Sequence, residues 1–387
     1  MNSIHDLLEL FSEISIPEID ANTQFWLIRT NGGRFYKEFV NNGYVALGWN
    51  RLTKETVFSK SSMDSLKDEI KKLYGESRPG NPINKCNRFI NEIQKGDYAL
   101  IPNVGSTEFA ICRLGRYYEV DEFDVDFEKE ELLKLSDEAI RCPYLKRREI
   151  KVLLTVSSRR LGLKLLKATS SYHGISSLNE YAEEILNCIY NCYIYKDSLN
   201  YTINIAKKEK IKMREFSQLM YSVTELMCEV VNDEDSISVT SNVNSPGKIV
   251  ITLKNIYGII KKKALPLLLV YLMLFGGSGF GFEFKGAASS AIDIIKELKT
   301  MDIQIEQAEE DLEGKRLENY QKLVDLIIAC RKGEIDIDSI ESNMIIIEKL
   351  DDSLDFQSNQ EFAHETNDLN IDEIDSNEFV DSTTSKE

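Results

Sequence analysis

Residues 25–49 read FWLIRTNGGRFYKEFVNNGYVALGW, and this succession of apolar and turn-forming residues sets the architecture that we expect for the first half of the chain. Residues 25–29 form an apolar run typical of a strand, and Asn-Gly-Gly at 31–33 is a turn signal. Residues 34–40 follow with a helical pattern, and residues 44–49 are a second strand candidate. The segment therefore predicts a strand, a helix and a strand in close succession.

The same alternation of short strands and helices continues downstream. Residues 62–74 and 87–93 have helical patterns, and a Gly-Asp turn precedes a strand candidate at 98–102. Residues 109–115 form a further strand candidate at hairpin distance. Short strands separated by turns, with helices outside them, predict an α+β fold whose first module is a small curved sheet or barrel.

The remainder of the chain changes composition several times. Strand, helix and hairpin patterns at 199–205, 213–231 and 237–253 predict a small unit that packs on the first module or on a copy of itself in a homo-oligomer. The predicted segments are an N-terminal extension at 1–21, a ligand-sensing module at 22–195, a small strand-helix-hairpin domain at 196–254, a hydrophobic membrane segment at 255–286, long amphipathic helices at 287–350 and an acidic disordered tail at 351–387.

The formal net charge of −17 is distributed unevenly. Residues 351–387 hold twelve acidic residues against one lysine, which is a net charge of −11. High charge with low hydrophobicity predicts disorder in this segment. A tail of this kind either keeps the protein soluble or mimics nucleic acid over a basic site.

The cysteine and histidine pattern argues against disulfides and metal sites. Seven scattered cysteines, three histidines and no CxxC motif predict free thiols, a reducing compartment and no metal or cofactor. The N-terminus lacks the basic region of a signal peptide. No Ser-His-Asp order, GxSxG or P-loop motif occurs. Residues 283–285 have the E-x-K spacing of a nuclease, but the nearest upstream acid is Asp235, so we predict no catalytic function.

Aromatic and basic side chains of the first module are the candidate ligand-binding groups. Eight Lys and Arg residues fall within 146–167, where they either neutralise phosphates or form a solvated helix face. Both tryptophans lie in the first module, where they either stack on bases or pack in the core. The candidate ligand-binding residues are Trp26, Arg29, Asn31, Arg34, Trp49, Arg147, Arg148, Lys151, Arg159 and Arg160.

Three ordered motifs resemble those of a PUA-like module related to EVE and ASCH domains. They are W-x-I-R followed by G-G, then G-x-V-A-x-G-W, both within residues 25–49, and G-D-x-x-x-x-P at 96–102. Residues 144–185 resemble the closing part of such modules. PUA-like modules occur at the N-termini of bacterial restriction and antiphage-defence proteins. The resemblance implies a small pocket with an aromatic wall that takes a flipped or terminal base.

Residues 264–282 read ALPLLLVYLMLFGGSGFGF and carry no charge. Nineteen helical residues span about 28 Å, close to the hydrocarbon thickness of about 30 Å, and three preceding lysines favour cytoplasmic N-terminal domains. A single crossing places the tail outside, whereas a re-entrant loop or hairpin keeps both ends inside. A buried helix in a soluble protein is the third alternative. The candidate membrane or pore residues are Leu265, Leu269, Leu272, Phe275, Gly277 and Gly281.

These features predict an antiphage-defence effector at the bacterial inner membrane. Its cytoplasmic module would sense a nucleic acid or short oligonucleotide and gate an oligomeric pore that depolarises the membrane. The architecture is similar to membrane effectors of the Hailong type, and this resemblance implies a short DNA ligand supplied by a partner nucleotidyltransferase. Two alternatives remain: a soluble modified-base reader of restriction type that recruits a separate nuclease, and a scaffold assembled through the C-terminal helices.

Overall fold

The computed structural model describes residues 16–29, 31–121, 123–133, 141–170, 174–228, 237–242, 247–254, 337–357 and 359. These residues form an α+β fold with two six-stranded sheets and several helices. The first sheet is a curled half-barrel. The predicted α+β class and the predicted curvature of the first sheet are therefore confirmed.

The described elements are named here in chain order. The strands are β1 (Glu18–Ile19), β2 (Phe25–Ile28), β3 (Tyr44–Leu47), β4 (Tyr98–Pro102), β5 (Glu108–Glu119), β6 (Lys146–Ser157), β7 (Ile175–Ser177), β8 (Cys192–Tyr195), β9 (Ser198–Ile205), β10 (Ile237–Asn242), β11 (Gly247–Lys254) and β12 (Phe356–Gln357). The helices are α1 (Tyr36–Asn42), α2 (Met63–Tyr74), α3 (Gly80–Asn87), α4 (Val125–Leu133), α5 (Leu163–Thr169), α6 (Ala182–Ile189), α7 (Met213–Cys228) and α8 (Ile337–Leu354).

The first sheet has the strand order β3-β6-β5-β4-β2-β7. The predicted β4–β5 hairpin is confirmed, because the two strands pair antiparallel from Tyr98 opposite Arg113 to Pro102 opposite Phe109. β2 and β4 pair in parallel. Two register shifts interrupt the long β5–β6 ladder, and such irregularities bend a strand and increase its twist. They account for the curl of the sheet.

Apolar cores cover both faces of the first sheet. On the inner face, Trp26 and Ile28 pack with Phe35, which precedes α1, and with Phe89, which follows α3. On the outer face, Phe25 packs with residues of α5, α6 and β8. Successive residues of a strand point to opposite faces, so a strand buried on both sides needs the uninterrupted apolar run of β2.

The second sheet has the order β1-β8-β9-β11-β10 and adds β12 beside β9. The strand, helix and hairpin predicted between 199 and 253 are confirmed as β9, α7 and the antiparallel pair β10–β11. β1 comes from the segment predicted as an N-terminal extension and pairs in parallel with β8. The boundary predicted at 195 falls between β8 and β9, which pair antiparallel in the same sheet.

The chain returns to the second sheet at its C-terminal side. Ile347, Leu350 and Leu354 of α8 are buried in one core with α7 and the sheet, and β12 pairs antiparallel with β9. Residues 351–357, predicted as the start of a disordered tail, instead complete α8 and form β12. The reason is that Leu354 and Phe356 contribute apolar surface to this core.

The hydrophobic stretch at 264–282 lies outside the described residues. So do the predicted pore residues Leu265, Leu269, Leu272, Phe275, Gly277 and Gly281 and the long helices predicted from 287. Of the helices that the structure describes, none has the length and apolarity needed to span a membrane.

Candidate ligand-binding site at Trp49

Trp49 lies two residues beyond the end of β3 and has a backbone φ of 60°. A positive φ is an outlier for a bulky side chain, and it persists only where the surrounding structure enforces it. Strained residues of this kind cluster at functional sites. The backbone of Trp49 is therefore the first indication of a functional site in this module.

A buried carboxylate on α4 holds the chain at this point. Glu128 is 3% exposed, and its two oxygens accept hydrogen bonds from Trp49 N at 2.7 Å and Asn50 N at 2.8 Å. The Tyr74 hydroxyl donates a third bond to Glu128, at 3.0 Å. Burial raises the pKa of Tyr74, and the charge of Glu128 raises that pKa further. The phenol consequently stays protonated and remains a donor.

A buried lysine holds the other side of the same residue. Lys146 is 0% exposed, and its Nζ donates to the carbonyl oxygen of Trp49 at 2.7 Å. Burial lowers the pKa of Lys146, and nearby Cys86 and Glu128 partly oppose that shift. Side chains from two other elements thus fix both the N–H and the C=O of Trp49. A residue fixed in this way needs little reorganisation when a ligand binds.

The glycine before Trp49 is required by the approach of Glu128. A Cβ at Gly48 would lie 2.8 Å from Glu128 Oε1 and 3.0 Å from Tyr144 Cε1, so no larger residue fits without displacing them. The Gly-Trp pair at the end of the G-x-V-A-x-G-W motif therefore has a packing reason. It lets a carboxylate reach the strained backbone.

The indole ring of Trp49 is half-buried. Its Nε1 donates to Glu76 Oε1 at 3.0 Å, which fixes the rotation of the ring. Lys85 Nζ lies over the ring, 5.2 Å from the centroid. This is a cation–π contact, worth about 0.5–1 kcal/mol at an exposed site. The ring therefore combines an aromatic face with an adjacent positive charge.

The Lys85 ammonium lies close to residues at both edges of the first sheet. A Cβ placed on Gly174, just before β7, would lie 3.5 Å from Lys85 Nζ and 3.5 Å from the carbonyl oxygen of Arg29. β3 and β7 are the opposite edges of the sheet, and five strand spacings in a flat sheet would separate them by about 24 Å. The curl thus brings the Trp49 ring, the Lys85 ammonium and the backbone of Arg29 to one mouth of the half-barrel.

The structure places the other tryptophan in the core. Trp26 is 6% exposed, and its Nε1 donates to Asp97 Oδ2 at 3.0 Å inside the module. Asp97 also accepts from the backbone nitrogens of Gln24 and Gln94. Of the two roles that the sequence allows for Trp26, base stacking and core packing, the structure therefore supports packing.

The Asn-Gly-Gly turn supports a contact between two loops. A Cβ at Gly33 would lie 2.5 Å from the carbonyl carbon of Asn103, so the turn packs directly on the backbone after β4. Asn31 and Arg34 are exposed beside this contact. The Arg29 guanidinium donates to the Thr169 carbonyl oxygen, which fixes its position beside the end of α5.

Both arginines at the start of β6 make hydrogen bonds inside the protein. Arg148 is buried, and its guanidinium donates to the carbonyl oxygens of Phe89, Ile90 and Ile93 at 2.9, 3.2 and 2.6 Å. It therefore caps the π-helical turn Arg88–Glu92. The Arg147 guanidinium lies 4.2 Å from the Tyr44 ring centroid. The structure thus assigns Arg148 a structural position in place of the predicted ligand contact.

The remaining basic candidates lie along β6 and beyond its end. Lys151 and Arg159 are exposed, and Arg160 is half-buried. Arg147 lies at the start of β6, whereas Arg159 and Arg160 lie in the short helical turn Ser158–Arg160 that follows the strand. The ten residue steps from Arg147 to Ser157 span about 33 Å along the strand. The basic run is therefore divided between the two ends of a long strand and does not form one patch.

Sequence reasoning missed three groups of the site: Glu76, Lys85 and Glu128. Lys146 was counted in the basic run at 146–167 but not among the candidate ligand-binding residues. Its alternation with Arg148 and Ile150 along one strand indicates that it shares their inward face. Within the described ranges, no group of three or more His, Cys, Asp or Glu side chains is arranged to hold a metal ion.

Comparison with known proteins finds one similar family model, over part of the chain, and no function. The sequence model of a domain of unknown function (DUF8426) matches residues 26–130. The matched region begins at Trp26 and ends within α4, so it contains Trp49, Lys85 and Glu128. No curated protein and no solved structure matches the chain.

Proposed function

We propose that the first half of the chain is a PUA-like domain that binds a base of a nucleic acid or short oligonucleotide at Trp49. The observation that carries this proposal is the half-buried indole whose strained backbone is bonded to Glu128 and Lys146. The cation of Lys85 over the ring adds positive charge at the same mouth. Such a site combines a stacking surface with a phosphate-binding group.

The chemistry of binding follows from the groups present. A base stacked on an aromatic side chain contributes about 1–3 kcal/mol, which exceeds the contribution of about 0.5–1 kcal/mol expected for the Lys85–Trp49 contact. The base therefore displaces Lys85 from the ring face. The freed ammonium then pairs with a phosphate of the ligand. Glu76, bonded to the indole Nε1, keeps the ring in place during this exchange.

The test is the binding of short single-stranded oligonucleotides to the full chain. Trp49→Ala should weaken binding by about tenfold or more, which corresponds to about 1.4 kcal/mol. Lys85→Ala should weaken binding and reduce its dependence on salt. Lys151→Ala, at an exposed residue far along β6, is the matched control and should change nothing. Binding that survives Trp49→Ala and Lys85→Ala unchanged would refute the site.

We further propose that residues 264–282 place the protein at the bacterial inner membrane as an antiphage effector. In this proposal, ligand binding to the cytoplasmic module changes an oligomeric pore, and a partner nucleotidyltransferase supplies the ligand. The described structure adds one constraint. β11, before the hydrophobic segment, and α8, after it, belong to the same domain. Both ends of residues 255–336 therefore start on one side of a membrane, which favours the re-entrant or hairpin alternative over a single crossing.

Fractionation and membrane-potential measurements test this part. The protein should stay with membranes after a carbonate wash, and its induction should depolarise cells in a manner that depends on Trp49. A protein released by the wash would instead be a soluble base reader that recruits a separate nuclease. The Trp49 site supports that alternative equally, because its described contacts do not involve the hydrophobic segment.

A further inference from the structure

A second polar site is buried in the C-terminal domain, away from Trp49. Asn191 precedes β8, Asn204 lies on β9, Gln357 lies on β12 and Asn359 follows it. We call these four residues the asparagine cluster. The three asparagines are 6%, 0% and 4% exposed, in that order. Uncharged amides from the β8–β9 hairpin and from the C-terminal segment thus meet in the interior.

Hydrogen bonds fix the orientation of each asparagine amide. Asn204 Nδ2 donates to the Gln357 carbonyl oxygen at 3.1 Å and to Asn359 Oδ1 at 2.8 Å. The backbone nitrogen of Asn359 donates to Asn191 Oδ1 at 3.1 Å. A backbone carbonyl only accepts and a backbone N–H only donates. Exchanging the oxygen and nitrogen of the Asn191 or Asn204 amide would therefore break these bonds. The orientation of the Asn359 amide is then also fixed, because its Oδ1 accepts the hydrogen bond from Asn204 Nδ2.

This arrangement leaves two donors and two acceptors buried without a hydrogen-bond partner. The donors are Asn191 Nδ2 and Asn359 Nδ2, and the acceptors are Asn204 Oδ1 and Gln357 Oε1. Nearly all buried polar atoms in folded proteins have partners, and an unsatisfied one indicates a missing water, ion or ligand. The four atoms belong to residues that are joined by hydrogen bonds or lie opposite each other on paired strands. We therefore infer that one bound molecule, or one set of waters, is missing beside them.

We propose that the asparagine cluster binds a neutral molecule that presents a donor and an acceptor on one edge, as a free nucleobase does. The unpartnered atoms supply both complementary types. The cluster contains no charged side chain, and burial of an unpaired charge is strongly unfavourable, so a phosphate-bearing ligand does not fit there. This site is independent of the Trp49 site, where the cation of Lys85 favours a phosphate.

The C-terminal segment closes the site. β12 pairs with β9 through only two residues, Phe356 and Gln357. Two backbone bonds extend this ladder, from Ala206 N to the Asp355 oxygen at 2.8 Å and from Lys207 N to the Leu354 oxygen at 3.2 Å. Entry of a ligand requires this short ladder to open. Occupancy of the site therefore stabilises the docking of residues 355–357 and Asn359 on β9.

The test uses the full chain and four probes: cytosine, uracil, adenine and guanine as free bases. At millimolar concentration, at least one base should raise the midpoint of thermal unfolding and slow amide exchange at Ala206 and Lys207. Asn204→Leu should weaken that binding by about tenfold or more. Asn191→Asp keeps the acceptor for Asn359 N but replaces the unpartnered donor with an acceptor, so it should change which base binds best. Trp49→Ala should leave base binding at this site intact.

Two results would overturn the proposal. One is the absence of any stabilisation or exchange protection by all four bases, with a crystal structure grown in their presence showing only water at the four unpartnered atoms. The other is base binding that Asn204→Leu and Asn191→Asp leave unchanged while Trp49→Ala removes it. The second result would assign the bases to the Trp49 site and leave the proposed function standing.

Discussion

Lys146 Nζ donates a 2.7 Å hydrogen bond to the carbonyl oxygen of Trp49. The bond joins the first residue of β6, at the second position of the sheet order, to the loop that carries the indole. Because the donor is buried, water does not compete for it. The position of the aromatic ring is therefore tied to the sheet itself, and the site is preorganised.

Gly48→Ala should destabilise the protein by about 1–3 kcal/mol, because the new methyl group overpacks against Glu128 and Tyr144. The matched control is Gly80→Ala in α3, where an added Cβ meets no atom within 4 Å. Urea unfolding of both variants measures the difference. Equal stabilities of the two variants would show that Glu128 does not hold the chain as described.

Arg148→Met should lower the free energy of unfolding by about 3–5 kcal/mol, because it leaves buried carbonyl oxygens of Phe89, Ile90 and Ile93 without donors. Lys151→Met removes the same charge from an exposed position three residues along the strand and should change stability by less than about 0.5 kcal/mol. Chemical denaturation reports both values. A small effect of Arg148→Met would restore it as a candidate ligand contact.

Stability should fall at alkaline pH because of buried thiols. Burial raises the pKa of Cys86 from 9.0 to about 11. A group whose folded pKa is raised stabilises the fold fully below its unfolded pKa, and this contribution is lost as pH rises through the folded pKa. Cys86 should therefore contribute a decline in the free energy of unfolding of about 1.4 kcal/mol for each pH unit between about pH 9 and about pH 11. Burial also raises the pKa of Cys112, Cys142 and Cys192, so these thiols add to the decline.

Urea unfolding between about pH 8 and about pH 11 checks this decline. Cys86→Ala should reduce the slope above about pH 9 by about 1.4 kcal/mol for each pH unit, although it lowers stability at neutral pH by leaving a small cavity. Cys228→Ala, at a half-buried residue of α7, is the control and should keep the wild-type slope. The lowered pKa of Lys146 acts in the opposite direction, and stability that rises with pH over this range would mean that Lys146 dominates.

The two flanks of the hydrophobic segment should be accessible from the same side of a membrane. Lys254 ends β11 and is exposed, and Ile345 of α8 is 41% exposed. In a background of Cys228→Ser and Cys330→Ser, Lys254→Cys and Ile345→Cys should both react with a membrane-impermeant maleimide in inverted vesicles. Reaction of only one of them in sealed vesicles would indicate a single crossing and would contradict the packing of α8 on α7.

Local pattern was sufficient for the elements near the site. Apolar runs and turn residues predicted β2, α1, β3 and the β4–β5 hairpin to within a few residues, because these elements are set by neighbours in sequence. The Gly-Trp pair was also recognised from its motif. Its reason, the approach of Glu128, was not predictable, since that carboxylate lies 79 residues away.

Several residues of the first module have contacts with residues distant in sequence, and composition and local pattern do not predict such contacts. Lys85 resembled any surface lysine, and only the curl of the sheet brings it to Trp49. Arg148 resembled its exposed neighbours, although alternation with Ile150 placed it on the inward face. Likewise, the acidic composition of 351–387 concealed the apolar Leu354 and Phe356, which suffice to extend α8 and form β12.

The Asn204–Asn359 bond joins residues that are 155 positions apart, and this separation sets the order of events during synthesis. At a synthesis rate of about 5–20 residues per second, β12 emerges from the ribosome about 8–30 seconds after β9. Residues 264–282 emerge within that interval, while the second sheet still lacks its last strand. The hydrophobic stretch is therefore exposed to solvent or membrane before β12 has paired with β9 and completed the second sheet.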